Sequence, residues 1–133
     1  MPQTVFTSLD EVRAAVGRRL GVSDWLEITP DRLERFAAAT GDHDHGYLAL
    51  ALTNLFLPQI VEMRGASLGV NYGTGAVRFL APLLAGSRVR GTAELVACDE
   101  VPGGVQARIR ITVELEGVDE PACVVESLSR WLA

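Results

Sequence analysis

The chain has no lysine; all 12 of its basic residues are arginine. A Schiff-base nucleophile, a pyridoxal phosphate site and a P-loop each need a lysine amine, so all three are excluded. Cysteine is scarce. Cys98 and Cys123 stand alone, with no CxxC pair and no Cys/His spacing for a metal, so no metal site is expected. Both fall in strand-like patterns, which suits buried, reduced thiols. Long apolar runs are missing as well. The longest stretch, Tyr47 to Leu57, is broken by Thr53 and Asn54 and is too short to cross a bilayer. The opening Met1-Pro2-Gln3 has no basic stretch leading into an apolar one, so a cytoplasmic chain is expected. Positive charge is in deficit: the net charge of -5 argues against nucleic acid and anionic membrane as partners. Local arginines could still meet a small anion.

What is present fits a globular chain. Its 133 residues are 48% hydrophobic and 22% charged, which suits one domain over residues 1–133 with a core of its own. Ser8-Leu9-Asp10-Glu11 is a capping box, and Leu9, Val12, Val16 and Leu20 follow helical spacing up to Gly21. Thr29-Pro30-Asp31 opens a second helix, and Gly41 suits its C-terminal cap. A third helix starts near His45-Gly46 and is apolar on every side, which predicts a buried helix, with a kink at Pro58. The rest alternates with period two: Leu68 to Tyr72, Val77 to Phe79, Arg88 to Ala97, Val105 to Glu116, and Ala122 to about Trp131. Long one-sided strands and one apolar helix predict an α+β, hot-dog fold, in which an antiparallel sheet curls around the helix. An edge strand left open by such a sheet predicts pairing into a homodimer.

Chemistry concentrates in one place. Asp42-His43-Asp44-His45 holds both histidines of the chain and two carboxylates at consecutive positions, between two helix patterns. Asp beside His is a common acid–base arrangement. Two readings stand for Asp42, an acid–base group or a turn aspartate. Two also stand for His45, an acid or a residue that fixes the helix start. Asp44 reads as the N-cap of the third helix and His43 as a solvated loop residue.

The chain resembles the MaoC-like dehydratase family, in particular its (R)-specific enoyl-CoA hydratase branch with the nodulation-protein-N-like and mycobacterial hydratases. The likeness rests on Phe36-Ala37-Ala38-Ala39-Thr40-Gly41-Asp42, His45-Gly46-Tyr47-Leu48-Ala49-Leu50, Asn71-Tyr72-Gly73, Val77-Arg78-Phe79-Leu80-Ala81-Pro82 and Pro121-Ala122-Cys123-Val124-Val125-Glu126-Ser127, in order along the chain. It implies reversible hydration of trans-2-enoyl thioesters of CoA or acyl-carrier protein to (R)-3-hydroxyacyl thioesters, without a cofactor. By the same resemblance, Asp42 would be the catalytic aspartate and Gly46 would supply an oxyanion donor at the helix start; His45 is the candidate catalytic acid only if it has taken over that role. Asn71, Tyr72, Gly73 and Arg78 would bind substrate.

The chain departs from the family pattern at this site. The family places a histidine-bearing excursion between Thr-Gly-Asp and the His-Gly of the central helix. Here Thr40-Gly41-Asp42 runs almost directly into His45-Gly46. His45 matches the histidine before the helix glycine and not the family's catalytic one. Two alternatives therefore stand beside the hydratase. One is a non-catalytic hot-dog subunit or acyl-thioester-binding partner. The other is a hot-dog thioesterase, for which Glu62, expected late in the helix, is the available carboxylate.

Overall fold

The computed structural model describes residues 3–133. In chain order they form Thr4–Phe6 (β1), Leu9–Ala14 (α1), Arg19–Val22 (β2), Leu26–Glu27 (β3), Pro30–Thr40 (α2), Gly46–Ala51 (α3), Thr53–Ile60 (α4) and Val61–Met63 (β4). The long strands follow: Leu68–Phe79 (β5), Arg88–Val101 (β6), Gly104–Leu115 (β7) and Cys123–Leu132 (β8). The main sheet has the order β2-β6-β7-β8-β5, with β3 also on β6, and all its pairings are antiparallel. This is the hot-dog arrangement expected from the alternation, with α3 and α4 lying against the inner face.

Period two explains the two faces of the sheet. Val89, Ala93 and Leu95 on β6, and Val105, Ala107, Ile109, Ile111 and Val113 on β7, point inward and are buried. The alternate positions point out and pair across strands. Arg90 meets Glu114 at 2.9 Å, Arg88 meets Glu116 at 2.7 Å and Arg108 meets Glu126 at 3.2 Å. Such part-exposed pairs are worth about 0.2–1 kcal/mol each. They occupy the arginines of this face, and Arg90 also stacks over Trp25 at 4.4 Å.

Helices α3 and α4 run head to tail through Leu52, and Leu48, Ala49, Leu52, Phe56 and Ile60 bury against the sheet. The contact is closest at Gly91, where an added Cβ would stand 2.9 Å from the Phe56 Cβ. Burial on every side is not what the chain adopts: Tyr47 is 61% and Leu55 43% exposed. One curved sheet covers only one side of a helix, so the opposite side is left open. The neighbouring edge strand β5 is open too, with Leu68, Val70 and Tyr72 exposed.

Three local expectations need correction. The first helix stops at Ala14 instead of reaching Gly21, because backbone bonds from Gly17 to Leu95 (2.7 Å) and from Leu95 to Arg18 (3.0 Å) draw the chain onto the sheet. Leu20 is then buried from β2 and not from a helix. The irregularity of the central helix falls at Leu52, while Pro58 sits inside α4. Glu62 lies on β4, which pairs in parallel with β1, and not at the end of the helix. Of the two thiols, Cys123 is buried, and burial pushes it up to about 11; Cys98 is half-buried and raised by the same cause.

The Gly91–Phe56 contact generates a test. Gly91→Ala forces Phe56 off its seat, and overpacking of this kind costs about 1–3 kcal/mol. Urea denaturation should give a lower midpoint with an unchanged slope; an unaltered midpoint would mean that the helix is not held at Gly91.

Candidate active site

The Thr-Gly-Asp segment is a joint between two helices. Thr29 caps α2 by accepting from the Arg32 amide at 3.1 Å, and Gly41 ends it in the left-handed region at φ 76°, its amide donating to the Ala37 carbonyl at 2.8 Å. The Thr40 hydroxyl donates to the Phe36 carbonyl at 2.6 Å and accepts from the Asp42 amide at 3.1 Å. The Asp42 carboxylate then receives the next segment. Its Oδ1 accepts from the amides of Asp44 at 3.2 Å and His45 at 3.1 Å, and its Oδ2 from that of Tyr47 at 3.0 Å. His45 is the N-cap of α3 and Tyr47 lies in its first turn, where amides lack a helical partner, while Asp44 belongs to the turn before the helix. Asp42 therefore does the capping expected of Asp44, whose side chain is exposed and makes no cap. His45 is held at φ 62°, the one non-glycine residue with positive φ among the described residues.

The Gly46 amide, between two that Asp42 occupies, has no partner among the described residues. It lies with Asp42, Tyr47, Phe79 and Pro82 on the wall of a cleft of about 390 Å³. A larger groove of about 620 Å³ runs between the open side of the central helix and strands β5 and β8. Leu50, Asn54 and Leu57 form its helix wall, and Asn71 and Gly73 stand on the strand wall. Tyr47 belongs to both spaces and packs edge-on against Phe79, with ring centroids 5.3 Å apart.

The expected site residues are thus divided. Asp42 and Gly46 share the cleft, and Asn71 and Gly73 share the groove. His45 and His43 are on the wall of neither. Tyr72 is exposed and carries the Arg130 guanidinium 3.6 Å from its ring, and Arg78 is exposed without an ion pair among the described residues. Glu62 is bonded through both oxygens to Arg64 at 3.0 Å, which holds its carboxyl below the usual range. The carboxylate named for a thioesterase is thus already engaged by Arg64. Among the described residues, no group of three or more His, Cys, Asp or Glu side chains could hold a metal.

Sequence reading missed Tyr47 as the shared wall, and Ser127, Ser129 and Trp131 as groove residues. The signal was available on β8, where two serines interrupt the inward-facing series Cys123, Val125, Ser127, Ser129, Trp131.

Chemically, the cleft is lined by two carboxylates, Asp42 and Asp44, and by Gly46 with its free amide, a base for water and a partner for a carbonyl oxygen. No family model matches the chain. It is 40% identical to 3-hydroxyacyl-thioester dehydratase Z of Mycobacterium tuberculosis, over 96% of this chain and 98% of that protein. Their alignment spans 148 positions, more than the 133 residues here, so the relative carries residues with no counterpart in this chain. Identity to nodulation protein N of Rhizobium meliloti is 31%, over 95% of this chain and 89% of that protein. A MaoC-like dehydratase from Rhodospirillum rubrum has the same fold, with a TM-score of 0.66 at 14% identity, covering 89% of this chain and 92% of that one. The relatives cover 95–96% of the chain, and with them the fold and the Thr-Gly-Asp joint place this protein in the MaoC-like dehydratase family.

Proposed function

We propose that the protein hydrates trans-2-enoyl thioesters, and dehydrates (R)-3-hydroxyacyl thioesters, slowly. The observation that carries this reading is the cleft that Asp42 and Gly46 both line, with a groove of acyl-chain size on the other side of Tyr47. In the reaction, Asp42 takes a proton from water as the water oxygen adds to C3. The thioester oxygen gains charge against the Gly46 amide, and a proton reaches C2. His45 lines neither the cleft nor the groove and stays outside this step, so the proton for C2 is the one that Asp42 took from water. Arg78, exposed and unpaired, is available to the phosphates of CoA.

Slow turnover follows from the short joint. The residues that the dehydratase relative has in excess belong, in this reading, between Asp42 and His45, where the family carries its acid histidine. Losing a general acid costs about 10²–10⁴-fold. Hydration of crotonyl-CoA, followed by absorbance, should run above the buffer rate but far below about 10 s⁻¹, a common enzyme rate. Asn keeps one acceptor oxygen and turns the other position into a donor, so Asp42→Asn should loosen the helix head, leave the sheet folded and lower the rate about 10²-fold. A variant as fast as the parent would remove Asp42 from the chemistry. A second reading, a non-catalytic thioester-binding subunit, draws on the three amides that already engage the Asp42 carboxylate. A parent that binds decanoyl-CoA but hydrates no faster than buffer would establish it.

We further infer a homodimer joined along β5, supported by the open edge of that strand and the exposed Leu68, Tyr72 and Leu55 beside it. Light scattering at micromolar concentration should give twice the chain mass, and Leu68→Lys with Tyr72→Glu should lower it. A monomeric parent would contradict the dimer.

A further inference from the structure

The concave face of the sheet changes character from one side to the other. On β6 and β7 the inward positions are apolar and buried. On β8 the inward series begins with Cys123 and Val125, then turns polar at Ser127 and Ser129 before closing on Trp131. Register leaves no doubt about orientation: Ser127 stands opposite Ile109 and Ser129 opposite Ala107, both buried. On the other side Ser127 faces Thr74 and Ser129 faces Asn71. Directly opposed residues of an antiparallel pair share a face, so these four polar side chains form one patch on the floor of the groove. Asn54 approaches from the helix wall, its Oδ1 3.5 Å from the Asn71 Nδ2. Trp131 closes the end over Gly69, where an added Cβ would stand 3.4 Å from the indole Cδ1.

The hydroxyls of Ser127, Ser129 and Thr74 make no side-chain hydrogen bond among the described residues. A floor meant for a plain alkyl chain gains nothing from them. Methylene groups laid over a hydroxyl strip it of water and offer no bond in return. Residues like the adjacent Val125 would serve an alkyl chain better. The groove wall carries no charged side chain, so the oxygen it suits is uncharged. Two serines at i and i+2 present hydroxyls about 6.7 Å apart along the strand.

We propose that this groove selects acyl groups bearing a hydroxyl remote from the thioester, read by Ser127 and Ser129 with Asn71 and Thr74. The proposal rests on the thioester reading of the cleft and names the kind of acyl chain it serves. Removing a hydroxyl from a ligand whose partner groups stay behind leaves those groups unpaired, which is where the discrimination comes from.

The test is calorimetric titration of the intact protein with decanoyl-CoA and with decanoyl-CoA monohydroxylated at each carbon from five to ten. At least one hydroxylated chain should bind about tenfold or more tightly than decanoyl-CoA. In Ser127→Ala/Ser129→Ala that advantage should fall to about threefold or less, with decanoyl-CoA held as well as before or better. Asn71→Leu should narrow it from the other strand. The proposal is overturned if decanoyl-CoA binds as well as every hydroxylated chain, or if the advantage survives both variants. It is also overturned if the serine variant changes the oligomeric mass while leaving the preference intact, which would assign the patch to a subunit contact. Failure of every thioester to bind would overturn the thioester reading itself, and this proposal with it.

Discussion

One carboxylate organises the head of the central helix. The Asp42 oxygens collect the amides of Asp44, His45 and Tyr47, and the Asp42 amide is itself held by the Thr40 hydroxyl at the end of α2. Hydrogen bonds to a charged group contribute about 1.5–3 kcal/mol each. Together they outweigh the roughly 1–2 kcal/mol of keeping His45 in the left-handed region. The turn from α2 into the helix can then be completed in five residues, Gly41 to His45.

The position of the helix follows from that anchor and from Gly91, which lets Phe56 sit directly on the sheet. With those two points fixed, Tyr47 stands at the meeting of the cleft and the groove. Asp42 and Gly46 lie on the cleft side of Tyr47, and the groove runs from its other side to Trp131. The same anchor explains the family relation and the departure from it. Thr40-Gly41-Asp42 forms the joint, and the short step to α3 lets the aspartate accept directly from the Tyr47 amide in its first turn.

Much of the fold was legible because it depends on periodicity. The faultless alternation of Val105 to Leu115 required a one-sided strand, and Thr29, Pro30 and Gly41 marked both ends of α2. What failed were elements decided by distant contacts. Leu20 fits a helical stripe in sequence, but bonds to Leu95 place it on a strand. Strands β1 and β4, three residues each, are too short to show a period and exist because they pair with each other. At the site, sequence brought Asp42 and Gly46 forward but assigned the cap to Asp44. Which carboxylate reaches the helix amides depends on the turn at His45, and a positive φ at histidine has no sequence signature. Tyr72 and Asn71 were grouped as neighbours, yet a register shift after Asn71 and the alternation of the strand set Asn71 on the groove wall and Tyr72 against Arg130.

The central claim is that the Asp42 carboxylate holds the head of the helix. Amide hydrogen exchange of Tyr47, His45 and Asp44, compared between the parent and Asp42→Ala, tests it most directly. The account predicts protected amides in the parent and exchange at least about tenfold faster at all three in the variant, with the amides of β7 unchanged. Equal protection in the two proteins would contradict it.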